Sequence, residues 1–226
     1  MTENEAIIYK KKKIVRACFS SLQDGEATRI CSAVRWRRGT TVCSASITVR
    51  WSSIILCWMV IVKSDCFAWS MGVWVAGQIL SGHTYPWEMK LAVNGTPFPI
   101  DDRRGIAEAV FHGTLENFSD AALARFRRRI CGGAGQVKEF LSHQPYRTTE
   151  ELGAELAALE HEAGKVQPAA FVWDKAIIGL CDKIFIPANQ RAAWTGTEVM
   201  EMEAEHYDTV LFDRLLEGKG EEWTRR

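Results

Sequence analysis

Four apolar runs, each closed by polar residues suited to a site, constrain this chain more than any other feature. The segment AWSMGVWVAGQIL, Ala68 to Leu80, leaves a strand-like end at Ser70 and continues with Val73, Val75, Ala76, Ile79 and Leu80 at helical spacing. Lys90 to Thr96 is a short apolar run closed by Asn94-Gly95, the signature of a buried strand and a turn. Ala176 to Leu180 is another run, ended by Cys181-Asp182, and Glu198 to Ala204 is a weaker alternating strand ended by Glu205-His206. Between the second and third runs, residues 97–168 read as amphipathic helices. One spans Ser119 to Ile130 with Ser119 as N-cap and Cys131-Gly132-Gly133 as stop, and another spans Thr148 to Ala163. A helix after Pro187, Asn189 to Trp194, and a closing helix, Asp208 to Leu216, complete an α/β pattern with a helical insertion.

The residues at the strand ends share one chemistry. A serine hydroxyl is a poor nucleophile at neutral pH, and it needs an imidazole to take its proton and a carboxylate to orient that imidazole. Ala68-Trp69-Ser70-Met71-Gly72 has small residues two positions either side of the serine, as a sharp strand-to-helix turn demands, although Ala68 stands where glycine is usual. Taken singly, a serine in such a string is more often structural. Asp182 alone reads equally as a helix cap, and His206 alone as a solvated side chain. Their order decides: Ser70, then Asp182, then His206 is the order of the α/β-hydrolase fold. Asp174, Asp208 and Asp213 compete for the acid role, but none of them ends an apolar strand. His83, His112, His143 and His161 fall in polar surroundings and read as surface residues.

Composition narrows the partners. A chain of 226 residues suits one domain with an inserted lid, and a net charge of zero gives no electrostatic reason to expect nucleic acid or an anionic membrane surface. The longest apolar run, Ile54 to Val62, is too short to span a bilayer. The acidic start, without an apolar stretch before a cleavage site, leads us to expect a cytoplasmic protein. The seven cysteines include no CxxC pair, which argues against a zinc site, and the proposed chemistry calls for no cofactor.

The strings AWSMGVWVA, NGTPFPIDDRRGI, FHGTLENFS, ARFRRRICG and CDKIFIPANQRAAW resemble the BioG-type pimeloyl-[acyl-carrier protein] methyl ester esterases of biotin synthesis. The resemblance runs from Phe67 to about Leu216. It implies hydrolysis of a methyl ester on a carrier-protein-bound acyl chain, with Ser70 as nucleophile, Asp182 as acid and His206 as base. It also implies that Trp69 lines the acyl pocket. The backbone N–H of Met71 serves as an oxyanion donor in this reading, and Arg125, Arg127, Arg128 and Arg129 form either a solvated helix face or a dock for the acidic carrier protein. A thioesterase or general carboxylesterase of the same fold is the alternative enzyme, and a non-catalytic remnant is the alternative from another class.

That last alternative arises from residues 1–66, which differ in character from residues 67–226. Five cysteines fall there and no proline does, and Arg35, Arg37, Arg38 and Arg50 interrupt what would have to be strands. The family resemblance implies a first strand ending in a Gly-Trp-Gly loop that supplies an oxyanion N–H, and no such string occurs. When the third base of each codon is read with the first two of the next, Ser20 to Thr28 permits Phe-Phe-Ala-Gly-Trp-Gly-(Ser or Gly)-Asp. Val42 to Phe67 permits MLCFDYRSLEFDHSLLDGYREIRLF, running directly into Ala68-Trp69-Ser70. We therefore expect residues 14–66 to be read out of frame, the first strands of the sheet to be missing or disrupted, and the strand entering Ser70 to be short.

Overall fold

The computed structural model describes residues 30–35, 41–46, 59–62, 65–82, 87–143, 148–217 and 220–224. Strands β1 (Ile30–Arg35) and β2 (Thr41–Ser46) form an antiparallel pair. A second sheet has the order β3-β4-β5-β6-β7, from β3 (Met59–Val62), β4 (Asp65–Trp69), β5 (Met89–Val93), β6 (Lys175–Gly179) and β7 (Glu198–Met202). The last four run parallel, whereas β3 pairs antiparallel with β4, Met59 opposite Ala68. The expected α/β class is thus a mixed sheet with helices.

Alternation along the buried strands sends side chains to two helical layers. Cys66, Ala68, Ala92, Ala176 and Ile178 face α1 (Gly72–Leu80), meeting Val73, Ala76 and Leu80. The alanines on this face bring the helix close to the strands. The alternate residues Phe67, Leu91, Val93 and Ile177 pack on Leu211, Phe212 and Leu215 of α7 (Thr209–Glu217). Each fully buried Leu, Ile or Phe contributes about 1.5–3 kcal/mol, so this double-sided core fixes the strand register.

Helices α2 (Glu108–Glu116), α3 (Asp120–Cys131), α4 (Ala134–His143) and α5 (Thr149–Ala163) lie between β5 and β6, within the insertion expected over residues 97–168. Ser119 caps α3 by accepting from the Ala122 N–H, and Gly132, at φ 69°, ends it. Thr148 and Glu151 close a reciprocal capping box on α5. The short helix α6 (Pro187–Ala193) starts on the proline, as proline's fixed φ favours.

The nucleophile strand has five residues, and β3 together with Asp65 and Cys66 falls before the boundary expected at residue 67. The end of the Ile54–Val62 run therefore has a partner strand that periodicity does not reveal. The rest of the out-of-frame expectation, residues 14–29, 36–40, 47–58 and 63–64, lies outside the described residues. Among the described residues, no helix is long and apolar enough to cross a membrane.

Candidate active site

The carboxyl ends of β4, β5, β6 and β7 bring together residues that are far apart in sequence. At the end of β4 the Ser70 N–H still donates to Val93 O (2.9 Å), after which the chain turns at a φ of 59°. A left-handed serine is a strained conformation, and here it lifts the hydroxyl off the sheet at the start of α1. The turn requires Gly95 beside it: a Cβ at that position would lie 2.1 Å from the Ser70 carbonyl oxygen and 2.9 Å from Val73 Cγ2. Gly95→Ala should therefore cost about 1–3 kcal/mol, because backbone must shift to admit the methyl group. Thermal unfolding of the variant beside the wild type checks this, and an unchanged midpoint would contradict the close approach.

Ser70 Oγ and His206 Nε2 are 2.9 Å apart, and His206 Nδ1 is 2.9 Å from Asp182 Oδ2. The histidine and aspartate are 1% and 3% exposed, so their interaction is little screened. Asp182 Oδ1 accepts the N–H groups of Ile184 (2.7 Å) and Phe185 (3.1 Å) in the turn after β6. The competing acids are engaged elsewhere: Asp174 accepts from Lys90, and Asp208 accepts the Leu211 N–H. The imidazole packs between Trp69 and a parallel Phe185 ring.

Trp69 departs from the expected acyl pocket. It is buried, and its Nε1–H donates to His206 O (2.7 Å). Its ring packs on Phe212 and Tyr207, so it braces the histidine loop rather than lining the cleft beside Ser70. Asn94 acts on the same loop. Its Nδ2 donates to Glu205 O and His206 O at 3.0 Å each, while its Oδ1 accepts the Gly179 N–H (2.7 Å). In the sequence Asn94 stands out only as half of an Asn-Gly turn. A brace across more than 100 positions leaves no local signal.

A cleft opens beside Ser70 and Met71, lined by apolar insertion side chains including Ile106, Phe111, Phe118, Leu123 and Leu156, with Arg129 and Lys183 among its few charged residues. Met71 precedes α1, whose amino end has no side-chain cap. Helix amino ends carry unpaired N–H groups and a partial positive charge, which suit a developing oxyanion. The four arginines of α3 do not act as one set. Arg125, Arg128 and Arg129 are exposed, and Arg127 is half-buried, with partial burial lowering its guanidinium pKa. Arg129 lines the cleft and donates to Lys183 O (2.7 Å).

Cysteine nucleophiles compete poorly here. Burial pushes the Cys66 thiol up to about 12 and the Cys131 thiol to about 11, so both stay protonated at neutral pH. Among the described residues, no group of three or more His, Cys, Asp or Glu side chains is placed to hold a metal ion.

The family described as pimeloyl-ACP methyl esterase BioG matches residues 59–217. A Bacteroides fragilis protein named malonyl-[acyl-carrier protein] O-methyltransferase is 48% identical over 151 residues, 66% of this chain and 31% of that protein. A Haemophilus influenzae protein named only as uncharacterized is 41% identical over 142 residues, 62% of this chain and 65% of its own length. Among solved structures, selenomethionine BioG from Haemophilus influenzae is similar at a TM-score of 0.60 and 40% identity, covering 64% of this chain and 67% of that one. The chain thus spans about a third of the first curated relative and just under two thirds of the second.

Proposed function

The chain belongs to the BioG family, and we propose that its sheet is the core of an α/β-hydrolase and that it is a serine carboxylesterase. Its substrate in this reading is the methyl ester of pimeloyl-acyl carrier protein, in biotin synthesis. The observation that supports this most is the unbroken pair of 2.9 Å contacts from Ser70 Oγ through the imidazole to Asp182, at a left-handed turn beside an apolar cleft.

In the proposed reaction, Ser70 Oγ attacks the ester carbonyl carbon while its proton passes to His206 Nε2. Asp182 holds the Nδ1–H and stabilises the imidazolium. The carbonyl oxygen becomes an oxyanion facing the Met71 N–H. Collapse expels methanol, which takes the proton from Nε2, and a water activated in the same way then releases the acyl group as a carboxylate. The apolar side chains of the insertion suit a chain of methylenes. Methyltransferase chemistry is named for a relative of which the shared stretch is under a third; hydrolysis would remove the kind of ester that such an enzyme forms.

Activity on a methyl pimeloyl-carrier protein far above that on short acyl esters supports the reading. Preference for short esters would instead favour a general esterase or thioesterase. Arg125 and Arg128 are the exposed arginines of α3 that lie outside the cleft lining, and so the candidates for the acidic carrier. Reversing both charges should slow the carrier-linked substrate about tenfold or more at low salt, with the difference shrinking as salt rises, and leave free methyl esters unaffected. Equal losses on both substrates would assign these arginines to folding.

In this proposal the chain, with residues 14–66 out of frame, carries only the Met71 donor and is catalytically impaired.

A further inference from the structure

Asp182 holds His206 through a single oxygen, Oδ2, and that oxygen has a second ligand that the reaction above does not use. Gln190 on α6 is fully buried, and its Nε2 donates to Asp182 Oδ2 (3.1 Å) and to Phe185 O (2.6 Å). The orientation of the amide is set by its neighbours, because a flipped amide would press Oε1 against two acceptor oxygens. Oε1 itself is buried and has no hydrogen-bond partner. An unpaired buried acceptor works against folding, and an apolar side chain of the same shape would avoid it. The position therefore carries an amide for the sake of its donor end.

We propose that Gln190 is a positioning residue for the acid: its amide fixes Oδ2 of Asp182 so that His206 stays aimed at Ser70. This rests on the triad reading. The three other donors to Asp182 leave Gln190 a distinct task. Ile184 and Phe185 hold only Oδ1, so without Gln190 the carboxylate pivots about that oxygen, and the imidazole bonded to Oδ2 follows. Phe185 is tied into the same arrangement, since Gln190 holds its carbonyl while its ring stacks on the imidazole. The other charged groups nearby face away. Lys183 pairs with Glu205, the Cys181 thiol meets Glu203, and Arg191 pairs with Glu201.

The test uses the whole chain with Gln190→Met and Gln190→Glu, a chromogenic short ester and a fluorophosphonate that labels an activated serine. Gln190→Met should lower kcat by about tenfold to a hundredfold with KM unchanged, the effect expected when a reacting group loses its aim. It should also slow fluorophosphonate labelling of the folded chain in proportion; removing the unpaired Oε1 favours folding, while the Phe185 carbonyl loses the amide donor. Gln190→Glu places a second carboxyl on Asp182. Protonated, it donates as the amide does; ionised, it stabilises the imidazolium, so the acid limb of kcat/KM should move to higher pH. A Gln190→Met chain that is labelled and turns over at the wild-type rate overturns the proposal and leaves the triad standing. So does a lowered melting temperature in Gln190→Met combined with an unmoved limb in Gln190→Glu. If neither the wild-type chain nor one carrying the shifted-frame peptide in place of residues 14–66 labels or hydrolyses, the triad reading and this proposal are overturned together. If Gln190→Met does not fold, the limb in Gln190→Glu decides alone.

Discussion

Ser70→Ala should lower ester hydrolysis by about 10⁴-fold or more and remove fluorophosphonate labelling altogether. The size follows from how the three side chains act as one unit. The imidazole has nothing to activate once Oγ is gone, and what survives is binding in the cleft together with the Met71 N–H. His206→Ala should cost about as much. Asp182→Asn should cost somewhat less in kcat, because Nδ1 then faces an amide and the imidazole is held in the wrong tautomer. Ser70→Ala should not lower stability as Gly95→Ala does, since the strained turn is made by the backbone, whereas His206→Ala leaves the buried Asp182 carboxylate without its partner and should lower it. Mass-spectrometric mapping of the labelled peptide gives the deciding result. Label retained on the Ser70→Ala chain, or turnover above about one per cent, would place the nucleophile elsewhere and remove the esterase reading.

The residues most readily found from sequence are those that close apolar runs. In a parallel sheet covered on both faces, such a run marks a buried strand and its carboxyl end marks where a site forms. Asp182 and His206 are legible on that ground, and Ser70 from the small residues about it. Ser119 and Thr148 are legible as caps because a cap is chemistry within three residues. Trp69, Asn94 and Gln190 are not legible in their observed roles. Trp69 and Asn94 act on the His206 carbonyl across more than 110 positions, and Gln190 reaches Asp182 only because α6 folds back over the turn. The α3 arginines look alike in sequence for a related reason. Their spacing gives a helix face, and three of them are exposed, but only the packing of the insertion sets Arg129 at the rim of the cleft and leaves Arg125 and Arg128 away from it. β3 escapes a sequence reading because a four-residue antiparallel edge has too few side chains to establish a period.

A chain in which residues 14–66 are replaced by the peptide of the shifted frame should be about a hundred- to a thousandfold more active than the chain as it stands. The estimate comes from one hydrogen bond. In the proposed mechanism a tetrahedral intermediate at Ser70 would have the Met71 N–H on one side, and the loop implied by the family resemblance would supply a second donor. Losing one such donor costs about 2.7–4 kcal/mol in the transition state. The binding cleft and the triad come wholly from residues 70–206 and are common to both chains, so the gain should fall on kcat and leave KM nearly unchanged. Stability should rise as well. The shifted frame puts Ile-Arg-Leu directly ahead of Phe67, so that isoleucine and leucine, alternating with one arginine, replace the wholly polar Lys63, Ser64 and Asp65 on the approach to the nucleophile strand. Sequencing the DNA across the codons of Lys10 to Lys13, an A-rich tract, and of Cys66-Phe67 tests the premise independently, because a shift needs an inserted or deleted base near each end. Steady-state kinetics of the two purified chains on one methyl ester measure the gain directly. Equal kcat in both would mean that the oxyanion is already fully held in the chain as it stands, and the out-of-frame reading would have no functional consequence.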